Sequence, residues 1–264
     1  MGVKRYRRVR PQLVVLVAAL ALVLMVSTGP AAASTRQDLR PSLPPALKVT
    51  TFAPIQPLAP LYTRTDCTAV DCVALTFDDG PDPTYTPQVL DILQQKQVSA
   101  TFFMIGYRVA AYPSIVKHAY DTGQEVENHS WSHVDLSKLP PDQIMNQIKQ
   151  TNDAIVAAGV PAPTMLRPPY GAVNDTVRAA NPLATILWNI DPLDWKLTNI
   201  GKVVANVVDP AKAGDIVLMH SVHPQDPQAL PSIIDGLRAK GLTIVPVSDL
   251  LSLQSGDRAQ YSHQ

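Results

Sequence analysis

The sequence predicts an α/β fold, a distorted barrel of seven β/α units, and three observations lead there. From residue 73 onward short apolar runs alternate with helical patterns, the connections between them are short, and the helices carry recognisable start and stop residues. The runs at 73–77, 100–105, 125–128, 164–167, 184–189, 216–219 and 242–246 read as buried strands, one fewer than an eight-stranded barrel needs. A chain of 264 residues with 46% hydrophobic and 17% charged residues can fill one such core. A parallel barrel carries its chemistry at the carboxyl ends of its strands.

The elements follow in order. Residues 1–10 are basic and run into an unbroken apolar stretch of 14 residues at 13–26, short of the roughly 20 that span a bilayer. Ala31, Ala32 and Ala33 follow, so residues 1–33 read as a signal peptide, with an uncleaved anchor as the alternative. Five of the 22 basic residues and none of the 22 acidic ones lie in that leader, which leaves the remainder at a formal net charge of −5 and argues against a nucleic-acid partner. Residues 34–66, with Pro41, Pro44, Pro45, Pro54, Pro57 and Pro60, read as an extended stalk. Cys67 and Cys72 suit one disulfide in an exported chain; a zinc pair is the alternative, with Asp66 and Asp71 as poor partners. Residues 67–254 form the expected catalytic domain. Within it Thr86 and Pro87 suggest a helix cap and first turn, and Ile144, Ile148 and Ile155 share a helix face ending at Gly159. Leu230, Ile233, Ile234 and Leu237 do the same before Gly241, and residues 255–264 read as a flexible tail.

Polar residues recur just after the strands. Asp78 and Asp79 are adjacent carboxylates at the end of the first; side by side they require a metal or an arginine, unless Asp-Asp-Gly-Pro is an ordinary acidic turn. His129 and His133, four apart, fit one face of a helical turn and can aim a ring nitrogen each at one divalent ion. Asp, His and His supply three ligands and leave a fourth position for water, the arrangement of a catalytic zinc. Arg167, ahead of Pro168, Pro169, Tyr170 and Gly171, can lock a carboxylate in its ionised form. Asp194 with Trp195, and Leu218 with His220, complete the set; a histidine at a strand end with a carboxylate to orient it is a candidate general acid.

In kind, order and interval these five motifs resemble the polysaccharide deacetylases, carbohydrate esterase family 4, over residues 73–251. The resemblance implies that Asp79, His129 and His133 hold the metal, that Asp78 is the base, and that Arg167 holds that base. It implies a backbone N–H of Tyr170 at the oxyanion, Asp194 tuning His220 as the acid, and Trp195 and Leu218 lining the acetyl pocket. His223 lies close enough to His220 to compete for the acid's role but is expected in the loop, and Glu127 is expected to face away from the metal or to bond a helix start.

The function so implied is metal-dependent removal of N-acetyl groups from an amino-sugar polymer, peptidoglycan or a chitin-type oligosaccharide. An O-acetyl esterase on xylan and an inactive carbohydrate-binding relative are the alternatives. Zinc is the expected ion, with cobalt, nickel or manganese chemically acceptable. A monomer is expected, secreted or in the cell envelope, touching a membrane only through an uncleaved leader.

Overall fold

The computed structural model describes residues 64–252 and the backbone of Gln260–Tyr261. The expected leader at 1–33, the stalk as far as residue 63 and most of the tail lie outside the described residues. Among the described residues no helix is long and apolar enough to cross a membrane.

The strands are β1 (Cys72–Asp78), β2 (Thr101–Met104), β3 (Glu125–Asn128), β4 (Met165–Leu166), β5 (Ala184–Ile186), β6 (Ile216–His220), β7 (Thr243–Val245) and β8 (Gln260–Tyr261). All pair in parallel in the order β6-β1-β2-β3-β4-β5-β8, with β7 on the first half of β1. The chain just past β5 closes the ring onto β6: Asn189 N–H donates to Ile216 O at 3.1 Å and Leu218 N–H to Ile190 O at 2.9 Å. The seven strands read from the sequence are all present. β8 is an addition, two residues of the expected tail laid along β5.

Among the described residues eight α-helices connect and cover the strands: α1 (Thr86–Lys96), α2 (Gly106–Ala111), α3 (Pro113–Asp121), α4 (Pro141–Ala157), α5 (Asp175–Ala180), α6 (Ile200–Val208), α7 (Gln225–Ala239) and α8 (Val247–Leu250). β1 is buried along its whole length, and its alternate side chains serve two cores. Val73, Leu75 and Phe77 pack outward with Val89, Leu90 and Leu93 of α1 and Leu230, Ile233, Ile234 and Leu237 of α7. Ala74 belongs instead with Phe103, Met165, Ile186 and Ile216, the barrel's own filling. Each large aliphatic side chain buried this way contributes about 1.5–3 kcal/mol, so the outer cluster is the main support of the strands that carry the site. Ile144, Ile148 and Ile155 of α4 are all buried, as the sequence indicates, and the helix stops before Gly159 at φ 83°.

Two local expectations need correction. Thr86 does not cap α1 with its side chain; its hydroxyl accepts from Asp82 N–H and donates to Ser221 O, while the Asp82 carboxylate takes the N–H groups of Thr84 and Tyr85. A carboxylate outcompetes a hydroxyl for exposed amide donors. The stalk gives way to the folded body before residue 67, because Thr65 N–H donates to Asp249 at 2.6 Å and Arg64 pairs with the same carboxylate at 3.1 Å. As expected, Cys67 and Cys72 form a disulfide at the entrance to β1, and the zinc-pair alternative falls away.

Candidate active site

Register places the chemistry. Asp78 lies beside His220 and Thr76 beside Leu218 across β1 and β6, so all four share the inward face, with the charged pair uppermost. His129 follows β3 directly, its N–H bonded to Met104 O, and Arg167 follows β4, its N–H bonded to Asn128 O. Strand ends one ladder apart thus deliver Asp78, Asp79, His129, Arg167 and His220 to one opening.

Asp79, His129 and His133 each present a ligand atom, and these atoms lie within 4.8 Å of one another. His133 Nε2 is 3.2 Å and His129 Nε2 3.4 Å from Asp79 Oδ1, which is buried and makes no hydrogen bond. An orphaned buried carboxylate oxygen aimed between two imidazole nitrogens is what a divalent ion would satisfy. His129 Nδ1 donates to Arg167 O at 2.6 Å, which fixes its tautomer and leaves Nε2 with its lone pair toward the site. Burial works against charge on Asp79, but the neighbouring imidazoles of His129, His220 and His133 outweigh it and hold the carboxyl well below the usual range.

The two histidines do not lie on a helical turn, as their spacing suggests. The segment is a loop in which Ser130 and His133 adopt positive φ, 64° and 55°. α4 holds it from behind: Gln147 Oε1 accepts from Trp131 and Ser132 N–H at 2.9 Å each, and the Asn128 side chain spans from Ser130 N–H to Ile148 O. Gly106 lets α2 approach on the other side, since a Cβ there would come within 2.5 Å of the Trp131 ring. Asp79, Tyr170 and Leu193 also have positive φ, so five of the seven such non-glycine positions among the described residues lie at this site. Each costs about 1–3 kcal/mol and persists only where the surroundings enforce it.

Arg167 is fully buried. Its Nη1 donates to Asp78 Oδ1 at 2.8 Å and to Thr76 Oγ1 at 2.6 Å, Nη2 donates to Leu187 O and Nε to Ile186 O. Its guanidinium lies 4.3 Å from the Phe103 ring centroid and 5.6 Å from that of Trp188. One cation therefore anchors one of the two adjacent aspartates and leaves the other to the histidines.

His220 Nδ1 lies 2.9 Å from Asp194 Oδ1, and its backbone N–H donates to Asp194 Oδ2 at 2.7 Å. Burial disfavours the charged ring, but the Asp194 hydrogen bond and charge, with Asp78 and Asp79 beyond, push its pKa up to about 9. His223 sits in the following loop with its ring 5.7 Å from that of His220, and burial and the neighbouring charge push its pKa down. Leu218 is buried and Trp195 is half exposed beside Asp194, its N–H donating to Asp194 Oδ1. Tyr170 is exposed at φ 63°, its ring 4.8 Å from that of His133 and its hydroxyl donating to His133 O. Asp78, Asp79, His129, His133, Arg167, Tyr170, Asp194 and His220 are thus linked by direct contacts around this opening.

The chain belongs to the polysaccharide deacetylase family. The family model for polysaccharide deacetylase matches residues 65–185. A peptidoglycan-N-acetylglucosamine deacetylase of Bacillus cereus is 42% identical over 187 residues, 68% of this chain and 87% of its own length. The PgdA peptidoglycan-N-acetylglucosamine deacetylase of Listeria monocytogenes is 39% identical over 192 residues, 73% of this chain. The match spans about 40% of that relative's length. The solved structure of T48 deacetylase with substrate is 38% identical, with a TM-score of 0.71 and coverage of 75% of this chain and 99% of that one. The curled parallel sheet is the (β/α)7 barrel of this family.

Sequence reading missed four supports of the site: Thr76, Trp188, Gln147 and Asp226. None stands in a motif of catalytic residue types, and only Asp226, a carboxylate six residues past His220, offered a signal. Glu127 neither faces away nor bonds a helix start; it is buried, and its carboxyl accepts from Thr164 and Met165 N–H where β4 begins. Its place is set by strand parity, which puts it on the inward face with Phe103.

Proposed function

We propose that this protein is an N-deacetylase that removes acetyl groups from the N-acetylglucosamine of peptidoglycan, releasing acetate and a free amine. The observation that carries the reading is the split between the two adjacent aspartates: Asp78 is held by Arg167, while Asp79 points a bare oxygen between two histidines, opposite a His220–Asp194 pair. The names of the two bacterial relatives support the choice of polymer.

The residue roles are these. Asp79, His129 and His133 would hold a divalent ion, which we take to be zinc and which would supply Lewis acidity to the acetyl carbonyl and to a water. Asp78, anchored through Oδ1, accepts the proton of the attacking water on Oδ2. The tetrahedral oxyanion is stabilised by the Tyr170 N–H, a kind of contact worth about 3–4 kcal/mol in other enzymes. His220, charged because Asp194 stabilises its imidazolium, donates its Nε2 proton to the departing nitrogen. Trp195 and Leu218 shape the space for the acetyl methyl. Residues 1–33 serve as an export signal and 34–63 as a stalk, placing the domain, as a monomer, in the cell envelope or outside the cell.

Acetate release by the purified chain tests this, with and without chelator and with Asp78→Asn as control, on peptidoglycan, acetylated chitin oligomers and acetylxylan. Chelator-sensitive release from peptidoglycan that the substitution abolishes is the expected result. Release no higher than the no-enzyme blank on peptidoglycan, with good activity on acetylxylan, overturns it.

A further inference from the structure

The histidine–aspartate pair continues one step beyond the family motifs, into α7. Asp226, in the first turn of that helix, is fully buried. Its Oδ2 accepts from Val222 N–H at 3.1 Å and His223 N–H at 2.8 Å. Its Oδ1 is buried with no hydrogen-bond donor, and its carboxyl interacts directly with that of Asp194. Asp194 is equally buried, and its visible donors are His220 Nδ1 and the N–H groups of His220 and Trp195. The neighbouring Gln225 side chain donates to Asp194 O, so the first turn of α7 grips this aspartate twice.

Two carboxylates cannot touch in a buried site with a single imidazole as their cation; one must carry a proton, and the proton then becomes the missing donor. Asp194 has three donors, the His220 ring among them, so it keeps the charge. Burial and the Asp194 charge accordingly push the Asp226 carboxyl up to about 8, while the backbone N–H of His223 and the His220 charge oppose this only in part. We infer that Asp226 is a neutral carboxylic acid that donates a hydrogen bond from Oδ1 to Asp194, making it a positioning residue for the Asp194–His220 pair. It touches neither substrate nor metal. It fixes the Asp194 carboxylate and ties the pair to the Val222–His223 loop, so that the His220 ring has one orientation.

The kinetic part of this inference rests on the deacetylase reading; the position of the proton does not. Infrared difference spectra of the purified, metal-loaded chain labelled with carbon-13 aspartate, at about pH 6 where an ordinary aspartate is ionised, are expected to show a protonated-carboxyl stretch. That stretch is absent from Asp226→Asn. In kinetics, Asp226→Ala lowers kcat about tenfold with KM within about twofold, because the buried acceptor loses its donor. Asp226→Asn can present an N–H to Asp194 and an oxygen to the loop, and it restores kcat to within about threefold of the unaltered enzyme. A spectrum without the aspartate band, or an Asn variant as impaired as the Ala variant while still folded, overturns the proposal. Absence of deacetylation by the unaltered chain defeats the deacetylase reading instead, and the spectrum still decides where the proton is.

Discussion

At the carboxyl ends of the strands Asp78 and Asp79 stand against Arg167, His129 and His133, whereas deeper in the same barrel the half-buried Glu125 and the buried Glu127 interact with each other, with Asp249 nearby. Both groups are inward-facing carboxyls on parallel strands. In the upper group cations or cation-binding rings meet each oxygen that needs one, and Asp79 stays ionised in spite of burial. In the lower group Glu127 has only N–H and hydroxyl donors, and burial with the Glu125 charge pushes its carboxyl well up. Ionisation in this barrel is therefore decided by the partner each strand end supplies, which is why the charge collects where chemistry is wanted.

The comparison is broken most severely at Asp78. Asp78→Asn keeps the shape and removes the proton acceptor, and kcat/KM on acetylated glycan is expected to fall by at least about 10³-fold; the urea midpoint falls as well, because the buried Arg167 loses its counter-ion. Arg167→Met strikes at the same pair from the other side. It leaves a buried carboxylate without its cation, for which about 3–5 kcal/mol of lost stability is expected, read from urea unfolding. Activity falls with it, since Asp78 loses both its charge partner and its fixed orientation. Asp194→Asn acts more mildly: the His220 pKa, now raised, drops toward or below its ordinary value, so less of the ring carries a proton at pH 8. A loss of about 10²-fold in kcat is expected, with the alkaline limb of the rate profile moved to lower pH. An unchanged limb would sink the assignment of His220 as the acid.

The upper group was legible in the sequence because it consists of chemically rare residues directly after apolar runs, so motif and strand end coincide at Asp78, His129, Arg167 and His220. The strands were legible for the same reason the core is stable, since β1 is apolar on both faces. What escaped reading depends on side-chain direction in three dimensions. His129 and His133 approach Asp79 through a loop with two left-handed residues, a conformation that spacing cannot distinguish from a helical turn. Thr76 and Gln147 act through contacts to distant parts of the chain and Asp226 through its interaction with Asp194, and Glu127 turns inward by parity in a strand whose length is only visible once its ends are placed.

The lower group offers the smallest effect and the sharpest contrast. Glu127 is favoured in its neutral form when folded, so its folded pKa lies above its unfolded one and the folded state binds the extra proton. The stability this group contributes is complete below the unfolded pKa of about 4.3 and is lost as pH rises toward the folded value. Glu127→Gln keeps a carbonyl for Thr164 and Met165 N–H and an N–H for the Thr164 hydroxyl, and it never ionises. Its melting temperature should match that of the unaltered protein near pH 4 and exceed it at pH 8, by about 2–4 °C for each kcal/mol recovered. The corresponding change at Asp78 gives no such pH-dependent gain, because it removes a charge that Arg167 already satisfies. A Glu127→Gln variant that loses stability as pH rises would mean that the glutamate is ionised in the folded barrel and that its donors at the start of β4 suffice without a cation.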